Sequence, residues 1–132
     1  MEYLIDTHVC LWAIANKKKL SEKVSTILED ASVKIFVSQV SLFEIAIKLN
    51  IGKLPEFETS LQQFMDSVTA TGFEILPVKE EHLIRYTAFE FSPEHRDPFD
   101  RYLIATAEFE KLSMITKDEK FKAYTDRLNI VW

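Results

Sequence analysis

The sequence predicts an α/β fold: a mainly parallel sheet of about five strands covered by helices on both faces, in three layers. Three observations predict it. Short apolar runs suited to buried strands alternate with segments of helical periodicity from one end to the other. Helix start and stop residues fall between them. No internal repeat, low-complexity stretch or linker interrupts the 132 residues, so a single domain is expected over residues 1–132.

Residues 2–6 read as a short buried strand, and Thr7 to Ala15 as a helix. Ser21 is an N-cap for a helix carried by Val24, Ile27 and Leu28 as far as about Ala31. Lys34-Ile35-Phe36-Val37 forms the second strand. Val40 to Ile51 is a strongly apolar helix stopped by Gly52. Thr59 or Ser60 starts the next helix, which runs to Gly72, where a C-terminal cap belongs. Phe73-Glu74-Ile75-Leu76 is a third strand closed by Pro77, and Lys79 to about Glu90 is helical. After a loop over Phe91 to Arg96, Asp97-Pro98-Phe99-Asp100 opens a helix that reaches Leu112. Ser113 to Thr116 is the fourth strand, Glu119 to Tyr124 a short helix and Asn129 to Trp132 the last strand.

Composition narrows the function classes. Hydrophobic residues make up 47% and charged residues 28%, the balance of an ordinary globular protein. Cys10 is the single cysteine, which excludes an internal disulfide and a cysteine-rich zinc site and fits a reducing cytoplasm. The N-terminal segment meets Asp6 too early for a signal peptide, and no apolar run is long enough for a membrane span, so a cytoplasmic location is expected. The net charge of −5 argues against a binder of nucleic acid that works by bulk charge. Setting aside Asp6, Glu44, Asp97, Asp100 and Asp118, however, leaves 16 acids against 16 bases. With glycine only at 52 and 72 there is no phosphate-binding loop or dinucleotide fingerprint. His8, His82 and His95 are far apart and lack zinc-ligand spacing.

The acids carry the chemistry. Asp6 follows the first strand, where ligands of parallel sheets bind, although Asp there also suits a helix cap. Glu44 lies on a helix face with Val40, Ile47 and Ile51, which favours a paired or metal-bound carboxylate over an exposed Glu44–Lys48 ion pair. Asp97 has the setting of an N-cap before Pro98. Asp100 starts the apolar run Tyr102 to Ala107 and should lie close to the core. Asp118 follows the fourth strand as Asp6 follows the first, and a cap is again the alternative. Gathered together, such oxygen-only ligands suit Mg²⁺ or Mn²⁺.

These residues resemble the PIN-domain ribonucleases, and within them the VapC-type toxins of toxin–antitoxin pairs. The resemblance rests on Leu4-Ile5-Asp6-Thr7-His8, on Ser38 to Ile45, on His95 to Ala105 and on Ile115-Thr116-Lys117-Asp118, in the family's order over nearly the whole chain. It implies that Asp6, Glu44, Asp100 and Asp118 bind metal and catalyse, with Asp97 a further possible contributor, and that Thr7, Ser38 and Thr116 support them. It also implies Mg²⁺ or Mn²⁺ as cofactor, RNA hydrolysis by metal-activated water, a homodimer and an antitoxin partner. Lys48, Arg96, Arg101 and Lys117, near the acids in sequence, are candidate phosphate contacts. Two other readings remain open: a catalytically silent PIN-like interaction module, and a receiver-like or phosphohydrolase α/β domain. The second wants a phosphorylatable Asp on a central strand and a late Lys, a setting that neither Asp6 nor Asp118 has.

Overall fold

A computed structural model describes residues 1–132. The strands are β1 (Glu2–Ile5), β2 (Lys34–Ser38), β3 (Glu74–Leu76), β4 (Ser113–Ile115) and β5 (Ile130–Val131). All neighbours pair in parallel, in the order β3-β2-β1-β4-β5. The helices are α1 (Thr7–Ala15), α2 (Glu22–Glu29), α3 (Gln39–Asn50), α4 (Leu61–Ala70), α5 (Glu80–Ala88) and α6 (Pro98–Glu110). The expected three-layer fold is what forms. Most bounds shift by a residue or two from the sequence reading. Lys17–Lys19 makes an extra 3-10 turn, and the short helix over Glu119–Tyr124 is a 3-10 helix. α5 stops at Ala88 because Phe89 leaves helical geometry and enters the core. The last strand is only two residues long.

Alternation along each strand divides the apolar residues between two cores. Tyr3, Ile5, Ile35, Val37, Ile115 and Val131 face one side, against Val9, Cys10 and Ala13 of α1, Val24 of α2, Leu42 and Ile45 of α3, and Phe64 and Val68 of α4. Leu4 and Met114 face the other, against Leu103, Ile104 and Ala107 of α6 with Phe89, Phe121 and Tyr124. The register Leu4↔Phe36 and Leu4↔Met114, beside Ile5↔Val37 and Ile5↔Ile115, lines these faces up across the sheet. α5 is clamped to α6 by His82, whose ring nitrogens lie 2.7 Å from Glu110 and 2.9 Å from the Tyr102 hydroxyl.

β1 is the middle strand. The chain leaves it toward β2 and β3 on one side, then crosses to β4 and β5 on the other. The direction of winding therefore reverses at β1, and a crevice opens beyond the carboxyl ends of β1 and β4.

Lys111 closes α6 in the left-handed region at φ 59, a conformation that strains a side chain bearing Cβ. Lys111→Gly is expected to stabilise the protein by up to about 1 kcal/mol, the relief of strain being partly offset by glycine's greater unfolded entropy. Urea-unfolding midpoints check this, and an unchanged or lower midpoint would contradict it.

Candidate metal centre

The carboxyl ends of β1 and β4 are knitted together before any side chain is considered. The Asp6 amide donates to the Ile115 carbonyl at 3.1 Å, and the Thr116 amide to the Val131 carbonyl at 3.1 Å. Asp6, the N-cap of α1, accepts the Val9 amide on Oδ1 at 2.8 Å. Its Oδ2 accepts the Thr116 hydroxyl in a very short contact. Thr116 Oγ1 in turn accepts the Asp118 amide at 3.1 Å. Asp118 caps the following 3-10 helix by accepting the Lys120 amide on Oδ1 at 3.0 Å.

The choice between cap and ligand that the sequence leaves open is thus not exclusive. Each carboxylate oxygen has two lone pairs, and capping uses one. Asp6 and Asp118 act as caps and keep acceptor capacity toward the crevice.

Asp100 lies in the first turn of α6, whose cap is Asp97. Oδ1 of Asp97 accepts the amides of Phe99 at 2.8 Å and Asp100 at 3.1 Å. The cap assignment for Asp97 therefore stands, with the carboxylate beside Asp100. His95 is a residue the sequence reading did not single out, and of the three histidines it alone joins the acids. It is buried under the rings of Phe121 and Tyr124, and its Nε2 meets Asp100 Oδ2 at 3.0 Å. The ligand atoms of His95, Asp100 and Asp118 lie within 4.8 Å of one another. The available signal was His95's place five residues before Asp100, in the loop that the apolar α6 pulls against the sheet.

Glu44 has a different setting. It is buried, accepting the Thr7 hydroxyl on Oε1 at 2.7 Å and pairing through Oε2 with Lys48 at 3.0 Å. The sequence reading set this ion pair against a buried carboxylate, and both occur together. Of the apolar residues on the helix face of Glu44, Val40 and Ile47 are half-buried, whereas Ile51 is 55% exposed. Ser38 caps α3 by accepting the Val40 amide at 3.1 Å, a helix-starting role well before Glu44 in the same helix.

Of the candidate phosphate contacts, Lys48 is held by Glu44. Arg101 is turned to the loop before α6, where its Nε donates to the His95 carbonyl at 2.6 Å and its guanidinium stacks on Phe91. Arg96 and Lys117 are exposed, with Lys117 beside the rings of Trp12 and Trp132.

Burial raises the Asp6 pKa against the lowering effects of Thr116 and the Val9 amide, and the Asp118 charge adds to the rise. Burial likewise raises Asp100, to about 6, opposed by the His95 hydrogen bond and assisted by the charges of Asp97 and Asp6. Burial and the Asp6 charge push the Cys10 thiol up to about 12, so it is an inert core group. Two carboxyls that resist ionisation beside each other, with oxygen donors and one imidazole around them, form a site that a divalent cation would relieve. The carboxylate oxygens of this donor set suit a divalent cation.

A family model described as PIN domain matches residues 3–126. The fold is similar to a chain in the complex titled VapBC2 from Rickettsia felis bound to a promoter DNA fragment, at TM-score 0.64, 16% identity and coverage of 99% of this chain and 98% of that one. It is also similar to a chain of VapBC-1 from nontypeable Haemophilus influenzae, at 0.63, 18% identity, and 99% and 97% coverage. For FitAcB from Neisseria gonorrhoeae the values are 0.55, 21%, 100% and 97%. No curated protein matches the sequence.

The raised acids set a pH dependence. Both folded pKa values lie above the unfolded value of 3.8, so the contribution of each acid is complete below about pH 4 and is lost as pH rises, for Asp100 through about 6. With chelator present, Asp100→Asn should gain stability relative to the native chain over that interval, and saturating Mg²⁺ at pH 7 should reverse the gain. Unfolding midpoints across pH test this; a pH-independent difference would contradict it.

Proposed function

The chain belongs to the PIN domain family, and from that premise we propose that it is a metal-dependent endoribonuclease acting as the toxin of a toxin–antitoxin pair. The observation that carries this reading is the cluster at the crevice, where Asp6, Asp100 and Asp118 converge from two strand ends and a helix start. Mg²⁺ or Mn²⁺ is the cofactor in this reading, held by Asp6, Asp100 and Asp118, with Glu44, which accepts a hydrogen bond from Thr7 next to Asp6, as the fourth proposed acid. A bound divalent ion supplies Lewis acidity toward the phosphodiester and a water activated for attack. Thr116 links Asp6 Oδ2 to the Asp118 amide, and His95 holds Asp100 Oδ2. Asp97 fixes the start of α6 and with it the position of Asp100. Lys117 and Arg96 are the exposed cations placed to meet backbone phosphates.

The partners follow from the same reading. The similar structures are titled as toxin–antitoxin complexes, which supports a protein antitoxin for this chain. A homodimer suits the apolar residues left on the surface, among them Phe43, packed edge-on against Phe99, and Leu83 and Ile84 of α5. No helix is long and apolar enough to cross a membrane. A cytoplasmic location is the reading adopted with the toxin role.

Purified protein should hydrolyse RNA with Mg²⁺ or Mn²⁺ and stop with chelator. Expression without a partner should arrest growth, and Asp6→Asn should relieve the arrest while the protein still folds. Activity that survives EDTA, or full toxicity from folded Asp6→Asn, would overturn the proposal. A folded protein inert toward RNA would favour the silent interaction module.

The neighbouring acids separate cleanly. Asn caps helices about as well as Asp, so Asp97→Asn should keep most activity. Asp100→Asn should change helix stability by less than about 1 kcal/mol yet reduce turnover by orders of magnitude. Initial rates against Mg²⁺ concentration, with melting temperatures as control, check this; the reverse pattern would exchange the two roles.

A further inference from the structure

An aromatic and basic cleft adjoins the acid cluster and takes no part in holding it. It has a volume of about 380 Å³ and is walled by His8 and Trp12 of α1, Lys19 after it, and Lys53 and Phe57 of the loop between α3 and α4. The loop is anchored in the core. Gly52 turns it at φ 73, Leu54 and Phe57 pack on the cluster beneath, and Phe57 lies 5.4 Å from Phe64. Trp12 is the shared wall. Its ring centroid is 5.9 Å from His8, 5.9 Å from Trp132, 5.8 Å from Lys19 Nζ and 5.9 Å from Lys117 Nζ.

We propose that this cleft is a nucleotide subsite, in which Trp12 stacks an unpaired RNA base and Lys19, Lys53 and Lys117 hold the flanking phosphates. The proposal rests on the nuclease reading and names the part of the substrate that the site takes. Three features favour a nucleotide. First, the lysine ion pairs of the protein use Lys34, Lys48, Lys79 and Lys122, which leaves Lys19, Lys53 and Lys117 without carboxylates. Their charge is available to an anionic ligand, and Glu56 is the one acid in the lining. Second, an indole face with cations beside it is the arrangement that binds single strands, because every base has a π-face. Third, the cleft leads to the chemistry. His8 in its wall lies in the first turn of α1, the helix that Asp6 caps, and Lys117 and Trp132 line a second cleft that opens on Thr116 and Asp118. A strand whose base stacks on Trp12 would have its next phosphates at Lys117, directly before Asp118.

The test is binding of a 5′-fluorescein-labelled oligoadenylate hexamer, followed by anisotropy in Mg²⁺, to protein carrying Asp100→Asn so that the probe survives. Adding Trp12→Ala should weaken binding about tenfold or more, while Trp12→Phe should stay within about threefold. An abasic hexamer of the same charge should bind the Trp12→Ala and parent proteins alike. Lys19→Glu and Lys53→Glu, both at exposed positions, should weaken the hexamer and lower the salt dependence by about 0.7 for each phosphate no longer neutralised. Lys18→Glu, outside the cleft, is the charge control. Binding within twofold of the parent for all the cleft variants would overturn the subsite and leave a partner protein as occupant of the cleft. Failure of the nuclease reading is seen separately: no cleavage of RNA by the native chain, with hexamer binding still dependent on Trp12, removes the nuclease and keeps the subsite. Cleavage with binding independent of Trp12 does the reverse.

Discussion

Thr116 lies between two negative charges that would otherwise repel each other. Its hydroxyl donates to Asp6, and its oxygen accepts the amide of Asp118. One small side chain thereby fixes the carboxyl ends of β1 and β4 and lets both acids stay where like charges are unfavourable. The remaining features answer to the same constraint. His95 restrains Asp100 from behind, Asp97 sets the first turn of α6, and the cores on both faces of the sheet hold the three elements so that the acids cannot move apart. Raised pKa values in Asp6 and Asp100 are the cost of that rigidity, and they form the electrostatic basis for holding a cation.

Local charge also resolves the tension between an acidic protein and an anionic substrate. The net charge of −5 is an average over the whole surface. Near the crevice Asp6 is buried and Asp100 half-buried, clustered with Asp118 in a site a cation would neutralise, whereas Lys19, Lys53 and Lys117 are exposed around Trp12. Screening limits each charge to about 8–10 Å at physiological salt. A phosphate approaching the cleft therefore experiences the lysines more than the distant acids of α5 and the chain's other faces.

Much of the site was legible because its acids occupy places with physical meaning in sequence. Asp6 and Asp118 follow apolar strands, and Asp100 opens an apolar helix. Such positions put carboxylates at the ligand-binding end of a parallel sheet before any coordinates are known. Two things were not legible. His95 looks isolated in sequence, because only the packing of α6 and the 3-10 helix brings its ring between Phe121, Tyr124 and Asp100. The Glu44 environment was misjudged in detail, because helical spacing identifies a face but not which neighbour covers it. Ile51 is exposed, and the hydrogen-bond partner that Glu44 finds is Thr7 of α1, a different element.

The sequence by itself determined the order of strands and helices and the caps at Asp97 and Ser21, and it singled out the candidate acids, since periodicity and capping are local properties that a short window encodes. Between Thr59 and Ser60 it left the cap open, which the structure places at Ser60. Tertiary structure alone decided the placement of β1 between β2 and β4, which creates the crevice. It also decided that caps and candidate ligands are the same carboxylates, that Trp12, Lys19 and Lys53 share one cleft, and that Lys117 lies over the Trp12 ring from a neighbouring one. These depend on contacts between residues as much as 110 positions apart, such as Asp6 with Thr116. They arise from how two hydrophobic cores close on one sheet, which no local pattern records.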